Sequence, residues 1–119
     1  FYDEWSLKMK RFPSIHSNKD FQIVYHRGKS AGNRTLVMYI FPNQTEKNRL
    51  GISVSKKVGN SIVRHRISRQ LREIFRLNSE KVLQGYEIVT IVKVAAADAD
   101  YHKLEAAYLH LCKIQGILK

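Results

Sequence analysis

A chain of 119 residues, 44% of them hydrophobic, is sized for one folded domain with a modest core. Its net charge of +11 favours a polyanionic partner: RNA, DNA or an anionic membrane surface. The lone Cys112 excludes an internal disulfide and a multi-cysteine zinc site, and no apolar run reaches the roughly 18 residues of a spanning helix. We read residues 1–119 as a single domain in a reducing cytoplasm, with 1–16 as an irregular N-terminal arm containing Pro13.

The elements follow in chain order. Ser17 and Asp20 are spaced like a capping box, which predicts a short helix from Asn18 to about Arg27, ended by Gly28. Phe21, Val24 and Tyr25 share one face of it. The β-branched and aromatic run Thr35–Phe41 predicts a strand. Thr35, Val37, Tyr39 and Phe41 point to one side of it; Leu36, Met38 and Ile40 point to the other. After a polar turn, Leu50, Ile52 and Val54 alternate with Gly51, Ser53 and Ser55 in a second strand. Gly59 permits a backbone turn that a Cβ would resist, and Asn60 or Ser61 caps the helix that follows. One short helical turn is expected within Asn78–Gln84. Tyr86–Val94 is almost continuously apolar, as in a central strand covered on both sides. Asp98 or Asp100 caps a last helix with Leu104, Ala107, Tyr108, Leu111 and Ile114 on one face. Cys112 in that helix reads as a small buried hydrophobe. The order helix, strand, strand, helix, strand, helix, with one extra short strand near Asn33 or in the arm, gives an α+β fold: a single-domain α/β sandwich with helices on a small mixed sheet.

The most informative stretch is Ser53–Arg76. Within it Lys56, Lys57, Arg64, Arg66, Arg69, Arg72 and Arg76 meet a single acid, Glu73. On a helix over Ser61–Arg76, at about 100° per residue, His65, Arg69, Arg72 and Arg76 fall in a stripe about 60° wide. Val63, Ile67, Leu71 and Ile74 fall opposite. A solvated surface helix usually interleaves acids and bases at i,i+4; this one does not, which points to a polyanion across the basic face. Arginine suits that task because its planar fork grips a phosphate bidentately and stacks on an exposed base.

A strand ending Ser53-Val54-Ser55-Lys56-Lys57, then Val58-Gly59-Asn60, then an arginine-rich helix is a specific arrangement. It resembles the bacterial ribonuclease P protein family, whose Arg-Asn-Arg motif reads here Arg64-His65-Arg66, followed by Arg69, Arg72 and Glu73. The resemblance runs from about Ser17 to Ile114. It takes in Asp20-Phe21-Gln22, Tyr25, Gly28, Asn33-Arg34 and Tyr39 in the expected order. His65 stands where the family usually has Asn, and Ser68 where it usually has a basic residue. The resemblance implies a non-catalytic subunit of an endoribonuclease whose RNA, with Mg²⁺, hydrolyses precursor tRNA to mature its 5′ end. It implies binding to that catalytic RNA through Lys56, Lys57, Asn60, Arg64, His65, Arg66, Arg69 and Arg72. It further implies a left-handed β-α-β crossover around the basic helix, against the general right-handed preference. No membrane partner is expected, and no obligate protein partner is evident.

Phe21, Tyr25 and Tyr39 have two readings. Composition alone favours three core rings. The resemblance implies that they line a cleft holding the single-stranded 5′ leader of precursor tRNA, where aromatic faces stack on bases of any sequence; Phe21 can serve both ends. His65 reads as a hydrogen-bond donor to RNA rather than a general acid or base. Asp98, Asp100 and His102 mimic a metal cluster but match a capped helix start. There is no phosphate loop, no His-Glu-x-x-His and no nucleophile elbow, and the acids are too scattered for a two-metal nuclease. The rival readings are a ribosomal or RNA-chaperone protein, a DNA-binding module and a metal-dependent nuclease. Scarce Asn and Gln on the basic helix argue against base reading in duplex DNA.

Overall fold

The computed structural model describes residues 12–119. The arm expected over 1–16 therefore lies outside the described residues as far as residue 11. Four strands form one mixed sheet in the order β1-β2-β4-β3. They are β1 (Lys29–Gly32), β2 (Leu36–Pro42), β3 (Arg49–Val54) and β4 (Tyr86–Val92). Helix α1 is Asn18–Arg27, α2 is Ser61–Leu77 and α3 is Tyr101–Ile114. β2 pairs antiparallel with β1 and β4, and β3 pairs parallel with β4 across the crossover that contains α2.

Each helix begins where a side chain satisfies its free backbone donors. Ser17 Oγ accepts the Asp20 N–H, Asn60 Oδ1 accepts the Val63 N–H, and Asp100 Oδ1 accepts the Lys103 N–H, at 3.0, 3.0 and 2.8 Å. Between the alternatives open in the sequence, Asn60 and Asp100 are the caps. Asp100 thus has a structural task at the head of α3. Short 3₁₀ turns occupy Ser79–Lys81 and Val94–Asp98, so β4 stops at Val92 rather than Val94. The extra strand is β1, just before Asn33, and the described end of the arm adds a parallel bridge from Ser14 to Leu50.

The sheet separates two clusters. Leu36, Met38 and Ile40 of β2, with Leu50 and Ile88, face α2 and α3 and meet Ile67, Leu71, Ile74, Leu104, Tyr108 and Leu111. Burying such side chains stabilises the fold by about 1.5–3 kcal/mol each. The opposite face is thinner: Val89 packs with Ile15 and Val24, flanked by Phe21, Tyr25, Tyr39, Phe41 and Ile91. The period-two pattern of β2 therefore sorts residues to faces as expected. Ile114 departs from its predicted face: it is 50% exposed, because it sits on the last turn of α3, where Cys112 takes the buried side instead.

Gly59 holds its place for a reason other than backbone angle. Its φ is not positive; the glycines with positive φ are Gly85 and Gly116. A Cβ on Gly59 would come within 2.9 Å of the Val63 side chain, so glycine lets the incoming chain lie against the first turn of α2.

Candidate RNA-binding site

The basic surface starts where β3 ends. Lys56 and Lys57 are exposed in a turn closed by the Val58 N–H donating to the Ser55 carbonyl at 3.1 Å. Val58 is buried and anchors that turn. Asn60 then starts α2, whose Ile67, Leu71, Ile74 and Phe75 lie buried against the sheet and α3. With that side fixed, His65, Arg66, Arg69 and Arg76 are exposed, while Arg64 and Arg72 are half-buried.

These cations are not equivalent. Arg76 forms an exposed ion pair with Glu73, so part of its charge is met within the helix. Arg66 donates to the Ala97 carbonyl at 3.1 Å and ties α2 to the turn after β4. Arg69 also interacts within the chain. Burial lowers the Arg72 guanidinium from its ordinary pKa. Arg64 differs from the others: its Nε is buried and has no hydrogen-bond partner in the protein. It lines a groove of about 310 Å³ with Ile52, Val54, Ser61, His65 and Ser68. A guanidinium that lines an open groove is placed to take an anionic acceptor from outside.

The aromatic residues are neither fully core nor fully exposed. Phe21, Tyr25 and Tyr39 are all half-buried. The Tyr25 and Tyr39 rings meet edge to face, with centroids 5.2 Å apart, and Phe21 lies 6.2 Å from Tyr25. Tyr25 also hydrogen bonds with the Ser53 side chain; burial pushes its hydroxyl pKa up, and that bond opposes the shift. Phe21 lies over Gly51, where a side chain would collide with the ring.

β3 joins the two regions. Gly51 and Ser53 face the aromatic side, while Ile52 and Val54 line the Arg64 groove. Sequence reasoning placed Gly51 and Ser53 on the polar side of the strand but gave them no role; the small, polar alternation was the available signal. It also missed the ion network of Asp20, Arg49 and Glu87, whose members are far apart in the chain. Among the described residues, no three His, Cys, Asp or Glu side chains converge as a metal site would require. No described helix is long and apolar enough to cross a membrane.

An arginine-rich helix, joined through one strand to three half-buried aromatic rings, gives this α+β protein the layout of an RNA-binding protein. The ribonuclease P family model matches residues 9–115. The chain is 44% identical over 110 residues to the ribonuclease P protein component of Alkaliphilus oremlandii, covering 92% of this chain and 96% of that protein. It is 49% identical over 104 residues to the Clostridium botulinum protein of the same name, covering 87% and 94%. Among solved structures it is similar to the RNase P protein of Staphylococcus aureus, with a TM-score of 0.83, 35% identity and coverage of 90% and 98%. For the RNase P protein of Thermotoga maritima the TM-score is 0.79, with 30% identity and coverage of 85% and 96%. The chain belongs to the bacterial ribonuclease P protein family, the protein subunit of the RNA–protein enzyme that processes the 5′ end of tRNA.

Proposed function

We propose that this chain binds the catalytic ribonuclease P RNA through Lys56, Lys57, Asn60, Arg64, His65, Arg66, Arg69 and Arg72. In the same reading, Phe21, Tyr25 and Tyr39 hold the single-stranded 5′ leader of precursor tRNA. The observation that carries the RNA-binding half is that Arg64 and the exposed His65 line one open groove on the same basic surface as the exposed lysine turn. A phosphate there would accept from the guanidinium in a charge-assisted bond. The leader half is supported by aromatic rings that remain partly open after packing.

Mg²⁺ in this reading works with the RNA, supplying charge neutralisation and an activated water for the hydrolysis. The scattered acids of this chain offer it no convergent set of ligands among the described residues. The protein contributes by position: its cations fix local RNA geometry, and its cleft adds affinity for the substrate.

The test is cleavage of precursor tRNA by a cognate bacterial ribonuclease P RNA at low Mg²⁺, with and without this protein. Rescue by the protein, and no cutting by the protein alone, is the expected result. Tight RNA binding without rescue would favour the ribosomal or chaperone role.

A further inference from the structure

One charged cluster lies outside the basic helix. Arg49, at the start of β3, donates through Nε to both carboxylate oxygens of Glu87 on β4, at 2.9 and 3.0 Å, and its Nη2 also pairs with Glu87. The same Nη2 reaches Asp20 Oδ2 in the first turn of α1, at 3.4 Å. The Glu87 side chain is only 11% exposed. Asn43 Nδ2 adds a long contact to it at 3.5 Å. The hydrogen bonds to Glu87 raise the Arg49 pKa further, so the guanidinium stays charged.

An ion pair between the nearly buried Glu87 and the partly exposed Arg49 adds little net stability, because desolvation offsets the attraction. Its geometric consequence is clearer. Asp20 precedes Phe21, and Phe21 lies over Gly51, two residues beyond Arg49. The three charged groups thus tie the end of α1 that carries Phe21 to the two strands beneath it. We propose that Arg49 is a positioning residue for the leader cleft, fixing the seat of Phe21 through Asp20 and Glu87. This rests on the leader-binding reading given above.

The test uses holoenzyme reconstituted with ribonuclease P RNA and precursor tRNAs bearing either a long leader or a single leader nucleotide. Asp20→Asn is the primary variant, because the Asp20 side chain is 39% exposed and its replacement leaves Arg49 on Glu87. Arg49→Met, the double variant and Phe21→Ala complete the set. Asp20→Asn should weaken binding of the long-leader substrate by about three- to tenfold and leave the single-nucleotide substrate unchanged, with the double variant no worse than Arg49→Met. Arg49→Lys should restore part of the loss seen in Arg49→Met. If Phe21→Ala loses leader affinity while Asp20→Asn does not, positioning is overturned and the cleft stands. Should Phe21→Ala have no effect, the cleft reading fails and takes this proposal with it. Equal losses on both substrates in Asp20→Asn would mean a general structural role and would also overturn it.

Discussion

Phe21 lies so close over Gly51 that a Cβ built on the glycine would come within 2.7 Å of the ring. The next atoms it would meet are the rest of that ring and Ile15. Gly51→Ala should therefore push Phe21 from its seat, with an overpacking cost of about 1–3 kcal/mol. We expect leader-dependent affinity to fall while binding to the catalytic RNA is retained. Denaturation curves and leader-length titrations would check the two effects separately.

Arg64 and Arg76 lie on one helix but in different electrical surroundings. Arg64→Ala should reduce the slope of log K against log salt for RNA binding by about one, as expected when one phosphate contact is lost. Arg76→Ala should change it much less, because Glu73 already pairs with that guanidinium. Equal slopes in the two variants would contradict this division of the basic face.

Asn60 allows capping to be separated from charge. Asn60→Ala removes the acceptor for the Val63 N–H and should cost about 1 kcal/mol. Asn60→Asp keeps an acceptor there and adds an anion at the positive end of α2, so stability should hold. RNA affinity should nevertheless drop, because the new charge stands beside the lysine turn. Thermal melts paired with filter binding would show whether the two losses separate.

Cys112 and Tyr108 are buried neighbours on α3. Burial pushes the Cys112 thiol from 9.0 up to about 11, and the Tyr108 hydroxyl well above its ordinary value. A raised folded-state pKa means that the unfolded chain ionises first. Stability from this source is therefore complete below about pH 9 and declines as pH rises toward 11. For the thiol the loss is at most about 2–3 kcal/mol. Urea unfolding at several alkaline pH values should show this decline, and Cys112→Ala should flatten part of it.

Local chemistry made much of the fold legible. Ser17, the pair Asn60 and Ser61, and the pair Asp98 and Asp100 mark the helix starts because a capping side chain acts within three residues of its own position, and the structure selects Asn60 and Asp100. The faces of β2 follow from strict alternation, and the buried side of α2 from spacing near 3.6. What escaped was non-local. Arg49 and Glu87 are 38 positions apart, and no periodic signal links them. Arg66 reaches a carbonyl 31 positions away, so a residue read only as an RNA contact also braces the protein. The three rings lay between two readings because composition cannot tell a covered ring from one left half-open; that depends on how far α1 stands from the sheet.

The parallel pairing of β3 with β4 also sets an order of events during synthesis. β3 and α2 are both made before Tyr86–Val92, the strand that receives β3. Until then the apolar side of α2 lacks Ile88 and Val92 of β4 and the α3 side chains Leu104, Tyr108 and Leu111. The two edges of the crossover close only after the central strand is made, a late step typical of long-range strand pairing. A chain truncated before residue 86 would thus carry every arginine of the basic helix and lack the central strand with which β2 and β3 both pair.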